Sequence, residues 1–248
     1  MTFQFTVSPD FSPDHISGWY IFNTWLQKQT GQGIHLEMYN NFQTQRVAIE
    51  NDAVDLIYAN PFDAAMLVRN KGFSPLVKPF GVSDEAIIVV NADSQILDVA
   101  DFGPGTKIAS TDDPDVLLMG MIMLEPADLN VQNSVKIGCD SYILVAKQLL
   151  QGNSDVGIFL AEAYDNLSNM VKSRLKVLVR SEISVIHHCL MIGPKLSPRK
   201  QEIQDLLVGM DMTDKGREVL KSLGFSGWVK VGEEETEFMI DLMDALSV

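Results

Sequence analysis

The residues best suited to hold a ligand form a turn rich in hydroxyls and carboxylates, Ser110-Thr111-Asp112-Asp113-Pro114-Asp115. A strand is predicted to end at Ser110, and a helix is predicted to begin at Pro114, where the missing N–H costs nothing. Amides at a helix N-terminus are a general site for anions. The three carboxylates oppose an anion, and Asp113 is expected to cap the helix and occupy its amides. A capped helix end without any ligand is therefore one interpretation of this turn.

Polar loops also follow the other predicted strands, at the sheet edge where ligands bind in open α/β folds. In the loop 138–142, the ring and hydroxyl of Tyr142 suit a ligand and the edge of a core about equally. The candidate ligand-binding residues are Ser8, Asp10, Tyr39, Tyr58, Asn60, Ser110, Thr111, Asp112, Asp140, Ser141 and Tyr142.

The sequence carries no recognisable catalytic or metal-binding motif. It has no G-x-S-x-G turn, no G-x-x-x-x-G-K loop and no H-E-x-x-H pair. His187 and His188 are adjacent in a predicted strand, so they point to opposite faces and cannot easily bind one metal ion. Cys139 and Cys189 are fifty positions apart, which leaves open two buried thiols or one long-range disulfide. We therefore expect no catalytic residue, no metal and no cofactor.

Composition and charge restrict the class of partner. The 248 residues include 19 Lys and Arg against 33 Asp and Glu, a formal net charge of −14. This acidity argues against nucleic acid and anionic membranes as partners. No apolar run reaches the roughly 18 residues needed to cross a bilayer. The first nine residues lack the regions of a secretory signal, so we expect a periplasmic protein if a signal has been removed and a cytoplasmic one otherwise.

Strand-like and helix-like segments alternate along the chain. An alternating strand over 3–7 is followed by a helix over about 15–29, with Trp19, Phe22 and Leu26 on one face. Strands joined by helices predict parallel β-α-β units. The unit occurs twice, once on each side of an apolar strand near residues 85–90.

A second long apolar strand is predicted over 183–192, where the chain would return from the second set of units. The predicted fold is therefore α/β with two lobes joined by two crossing hinge strands. Lobe I is expected to comprise 1–84 plus 190–248, and lobe II to comprise 85–189. A ligand cleft is expected between the lobes.

Several short motifs occur in the order typical of one family. They are the opening strand with Ser8-Pro9, and the segments 54–65, 93–102, 155–159 and 214–220. In these motifs the chain resembles the periplasmic substrate-binding proteins of phosphate, phosphite and phosphonate ABC transporters, which have the type 2 periplasmic-binding fold. The resemblance implies a non-catalytic protein that closes on a small-molecule ligand by hinge motion. It also implies a partner, either an ABC-transporter membrane subunit or a sensor protein.

The chain departs from that family at the proposed anion site. The resemblance implies that a Ser/Thr-rich turn holds the phosphonate oxygens, and here the corresponding turn is the acidic segment 110–115. A phosphate there would face repulsion on the order of several kcal/mol, so the second interpretation is a cleft that prefers a cationic or neutral ligand.

Two alternative functions stay open at this point. One is a cytoplasmic enzyme of the same fold, similar to those of the menaquinone and thiamine pathways, with Asp112 or Asp140 as acid or base. The other is a degenerate module that has lost its ligand and binds a protein partner.

Overall fold

The computed structural model describes residues 2–11 and 13–246, in which eleven strands and nine α-helices occur. The strands are β1 (Thr2–Val7), β2 (Gly33–Met38), β3 (Leu56–Ala59), β4 (Ser74–Pro79), β5 (Ala86–Asn91), β6 (Lys107–Ser110), β7 (Val135–Gly138), β8 (Val156–Leu160), β9 (Leu175–Arg180), β10 (Cys189–Ile192) and β11 (Trp228–Lys230). The helices are α1 (Ile16–Thr30), α2 (Phe42–Glu50), α3 (Pro114–Met123), α4 (Tyr142–Leu150), α5 (Ala161–Asp165), α6 (Asn169–Lys172), α7 (Lys200–Val208), α8 (Asp214–Ser222) and α9 (Glu233–Leu246). Within these ranges, no helix has the length and apolar character required to cross a membrane.

The first compact unit contains the described residues up to Val82 together with His187–Leu242. Its sheet has the strand order β11-β4-β10-β3-β1-β2. β1 pairs in parallel with both β2 and β3, whereas β10 runs antiparallel to β3 and β4. The apolar face of α1 covers this sheet, because Trp19 and Phe22 both meet the ring of Phe5, at centroid distances of 6.1 and 6.0 Å. The periodicity of α1 therefore predicted its buried face correctly.

The second compact unit contains Ser83–Ile186, and the described residues from Met243 onward group with it. Its sheet has the order β7-β6-β8-β5-β9, in which β6 is parallel to β7 and β8. Ser110 lies opposite Gly138 in the β6–β7 register. The turns that follow these two strands are therefore neighbours, as the parallel topology requires.

The long strand predicted over 183–192 forms only as β10, Cys189–Ile192. The prediction is wrong for the residues before Cys189, and the amides of the first two bond to a side chain and not to a strand. The buried carboxylate of Glu85 accepts from the N–H groups of Ile183 and Ser184, at 3.0 and 2.6 Å. Ser184 also has a left-handed backbone, with φ 62°, which interrupts an extended chain.

Two further local differences affect the first unit. After β3 the sequence pattern predicts one helix over 62–70, whereas the chain forms a 3-10 turn, Pro61–Asp63, followed by a π-helical turn, Met66–Asn70. The edge strand β11 was not predicted, because three residues are too short for a periodic pattern.

Candidate ligand-binding site

In the first unit, two predicted ligand-binding loops meet because their strands are parallel neighbours. Val7 of β1 lies opposite Tyr58 of β3, so the residues that follow them leave the sheet at the same edge. The N–H of Ser8 donates to the carbonyl oxygen of Tyr58 at 2.8 Å, and Ser8 is fully buried. Asn60 begins the next turn, where its Oδ1 accepts from the N–H of Phe62 at 2.8 Å.

Asp10 is the polar centre of this edge. Its Oδ2 accepts from the side-chain Nδ2 of Asn60 at 2.7 Å and lies 3.0 Å from Nε2 of His188. Burial raises the pKa of the Asp10 carboxyl, but the charge and hydrogen bond of His188, with the side chains of Ser8 and Asn60, more than offset burial and bring the pKa below its usual range. Asp10 is therefore ionised at neutral pH, and Nε2 of His188 carries the proton that it donates.

His188 is a site residue that the sequence analysis did not select. The sequence analysis considered it only as a poor metal ligand, and its separation of 178 positions from Asp10 gave no local signal of their contact. Its ring stacks on the ring of Tyr58, with centroids 5.3 Å apart and planes inclined by 22°. Tyr58 itself belongs to the aromatic core, where it also contacts Trp19. Tyr58 therefore supports His188 from the core side.

Two other features of the first unit bear on the predicted loops. Tyr39 follows β2 and is half-buried, and this burial together with the charge of Glu37 raises its pKa. In the loop after β3, Asp63 is buried and its Oδ1 accepts from Nε of Arg46 at 2.6 Å. Arg46 therefore compensates the charge of Asp63 within the unit. This carboxylate does not depend on a ligand for a positive partner.

In the second unit, the hydroxyls predicted at the end of β6 are both buried. Ser110 is 1% exposed, and its Oγ has no hydrogen-bond partner among the described residues. The neighbouring Thr111 Oγ1 accepts from the N–H of Asp113 at 3.4 Å. Because buried polar atoms are normally bonded, the Ser110 hydroxyl is a group with an unused capacity to bind.

Asp113 occupies the N-cap position of α3, but its side chain makes no capping hydrogen bond. The predicted position of the cap is therefore confirmed, but the predicted capping hydrogen bond from the side chain is wrong. One carboxylate oxygen, Oδ2, accepts from the hydroxyl of Tyr142 at 2.8 Å, so the carboxylate is directed toward the neighbouring turn. Burial raises the pKa of Tyr142 well above its usual value, and the charge of Asp113 raises it further. The phenol therefore stays protonated and acts as a donor.

The remaining predicted residues of this unit have different environments. Asp112 and Asp140 are exposed. Ser141 caps α4, since its Oγ accepts from the N–H of Leu144 at 3.4 Å. Asp115, which was not selected as a ligand-binding residue, is 0% exposed. Two carboxylates, those of Asp113 and Asp115, are therefore buried at the turn, while the exposed ones are screened by water.

Comparison with protein families gives one match over almost the whole chain. The model of the family described as "ABC transporter, phosphonate, periplasmic substrate-binding protein" matches residues 5–236. A search of curated proteins finds no match.

Solved structures of similar fold include proteins from three bacteria. XAC2383 from Xanthomonas citri, bound to ATP, has a TM-score of 0.82 at 15% identity, with 99% of this chain and 97% of that chain covered. PhnD1 from Prochlorococcus marinus, in complex with methylphosphonate, has a TM-score of 0.83 at 13% identity, with 99% and 98% covered. The aliphatic sulphonate binding protein SsuA from Escherichia coli has a TM-score of 0.67 at 14% identity, with 99% and 91% covered. At these identities the likeness concerns the fold, and it confirms the predicted two-lobed α/β class.

Proposed function

The chain belongs to the ABC-transporter family of phosphonate periplasmic substrate-binding proteins, and from this membership we propose that it binds one small solute reversibly and without catalysis. The match over residues 5–236 carries the proposal, because it includes every predicted ligand-binding residue. The family match does not favour the two alternatives, a pathway enzyme and a degenerate interaction module.

Transport is the role we propose for this binding. A protein of this family would act in the periplasm, after removal of a signal, and deliver its solute to the membrane subunit of an ABC transporter. Recovery of the native protein in an osmotic-shock fraction is the expected result. Recovery only with the cytoplasmic fraction would favour ligand sensing together with an intracellular sensor protein.

For the ligand, we propose a group that is cationic or an uncharged donor at the turn after β6. The buried carboxylates of Asp113 and Asp115 support this choice, because they would repel an anion. Proteins of similar fold bind anions, namely methylphosphonate and ATP. Two like charges 4 Å apart repel by about 4 kcal/mol at an effective dielectric of about 20. Ser110 would complete the contact, because its buried hydroxyl can donate or accept.

Calorimetry with methylphosphonate and with inorganic phosphate tests this proposal. The wild-type chain should bind both with a Kd weaker than about 1 mM. Asp113→Ser should bind them more tightly, because it removes a buried charge and adds a hydroxyl. Asp112→Ser is the matched control, since Asp112 is exposed and its charge is screened. Micromolar binding of methylphosphonate by the wild-type chain would contradict the proposed ligand class while leaving the binding function intact.

Native mass spectrometry of freshly purified protein tests the binding function itself. A co-purifying small molecule of one mass is the expected result, and denaturation should release it for identification. Asp10→Asn should reduce its occupancy, because Asp10 is the ionised centre of the first unit's strand edge. A ligand-free spectrum, together with no response to a broad solute library, would instead support the degenerate module.

A ligand shared by the two units remains a prediction from the chain pattern. If it is correct, small-angle scattering should show a smaller radius of gyration once the identified ligand is added, because a ligand stabilises the state in which both sets of contacts form. An unchanged radius at saturation would indicate a ligand held by one unit alone.

A further inference from the structure

A concave site lies within the second unit, at the opposite edge of its sheet from Ser110. It is a pocket of about 320 Å³ lined by residues that precede β6 and β8, including Thr106 and Ser154. β6 and β8 are parallel, so this edge contains their amino ends. The length of β6 separates it from Ser110 by roughly 10 Å. The volume is at the lower end of the range for small-ligand sites.

One polar group in this pocket lacks a partner. Ser154 is 6% exposed, and its Oγ has no hydrogen-bond partner among the described residues. Neighbouring polar groups are in use: Thr106 Oγ1 donates to the carbonyl oxygen of Gly103 at 2.6 Å, and Asn91 Nδ2 donates to that of Leu149 at 3.1 Å. Since buried hydroxyls are normally bonded, the Ser154 hydroxyl is suited to a polar atom of a bound molecule.

The charges around the pocket favour a cation. Asp101 and Asp155 both line it. Backbone N–H groups of Leu97 and Asp98 hold the pKa of Asp101 below its usual range, so its carboxylate stays charged. Leu149 and Gly152, which also line the pocket, mark the C-terminal end of α4, where the backbone carbonyls carry partial negative charge.

The wall of this pocket already binds one ammonium group. Nζ of Lys176 donates to the carbonyl oxygens of Ser94 and Ile96, at 3.1 and 2.7 Å, and both residues line the pocket. Backbone carbonyls at this pocket can therefore accept from an ammonium group. Phe102 adds an apolar surface to the lining, which suits a short carbon chain.

We propose that this pocket binds a short primary amine bearing a hydroxyl group, with its ammonium at Asp155 and Asp101 and its hydroxyl at Ser154. This site is separate from the proposed solute site, so either assignment can fail without the other. A simple anion is disfavoured, because ionised carboxylates offer it no donor; their repulsion is weak, since Asp101 and Asp155 are exposed.

Amide chemical shifts of the full chain, titrated with ethanolamine, test the proposal. Saturable shifts are expected at Asn91, Gly152 and Ser154, with no comparable response to ethylene glycol, which lacks the charge, or to acetate, which has the opposite charge. Asp155→Asn keeps the acceptor for the N–H of Lys107, which Asp155 Oδ2 now bonds at 2.8 Å, but removes the charge. It should weaken binding by about tenfold or more, as should Ser154→Ala.

Asp93→Asn is the matched control, because Asp93 is exposed, is next to the lining residue Ser94 and does not itself line the pocket. Its affinity for ethanolamine should equal that of the wild-type chain. Three outcomes would overturn the proposal: no saturable shift at the lining amides below about 10 mM, an equal response to acetate, or unchanged affinity in Asp155→Asn. Shifts confined to residues 110–115 would assign the amine to the solute site and would also overturn it.

Discussion

The carboxylate of Glu85 organises the segment by which the chain leaves the second unit, and its replacement offers a sharp test. Glu85 is 9% exposed. Its Oε2 accepts from the Ser181 hydroxyl and from the N–H of Ile183 at 3.0 Å, and its Oε1 accepts from the N–H of Ser184 at 2.6 Å. Three donors separated from Glu85 by nearly a hundred positions therefore converge on one side chain.

The magnitude of a Glu85→Gln change follows from these contacts. Gln keeps one acceptor oxygen, but its amide group replaces the other oxygen and faces a donor with which it cannot bond. One or two of the three hydrogen bonds are lost. A hydrogen bond to a charged group contributes about 1.5–3 kcal/mol, so we expect the segment 181–186 to be destabilised by about 2–4 kcal/mol.

Hydrogen exchange measures this local stability directly. The amides of Ile183 and Ser184 should exchange roughly 30-fold faster or more in Glu85→Gln, since about 1.4 kcal/mol corresponds to a factor of ten. Glu182→Gln is the control, because Glu182 is exposed in the same segment and loses the same charge. Equal exchange of these two amides in the wild-type chain and in Glu85→Gln would refute the role assigned to the carboxylate.

Three further predictions concern stability. Burial lowers the pKa of His187 to about 4 from 6.5, so between these values the unfolded chain binds the proton more readily than the folded chain does. The free energy of unfolding should therefore fall by up to about 3 kcal/mol between pH 6.5 and pH 4. Urea unfolding of His187→Gln should show a smaller fall. Gly18→Ala should destabilise the chain by about 1–3 kcal/mol despite the helix preference of Ala, because its Cβ would lie 2.0 Å from the carbonyl oxygen of Ser222; Gly103→Ala, with open space around it, should leave the urea midpoint unchanged. Tyr142→Phe removes the donor to a buried carboxylate and should lower stability by about 1–3 kcal/mol; a thermal midpoint equal to wild type would contradict that contact.

Local patterns in the sequence were sufficient for the regular elements and for the family. The apolar spacing of α1 predicted its buried face, and the strand predicted to end at Ser110 is β6. The motifs distributed over the chain predicted membership of the family whose model matches residues 5–236. These signals succeed because side-chain periodicity and capping act over a few residues, within the reach of one element.

Tertiary structure alone decided which side chains became partners. The sequence predicted Asp10 and Asn60 at strand ends but not His188, and it assigned Asp113 to a cap where the structure gives it the hydroxyl of Tyr142. It also predicted an extended strand at Ile183 and Ser184, whose amides instead donate to the carboxylate of Glu85. Each of these outcomes depends on the register and direction of segments far apart in sequence. The partner of a polar group is fixed only when folding has brought the two groups within hydrogen-bond distance and removed the competing water.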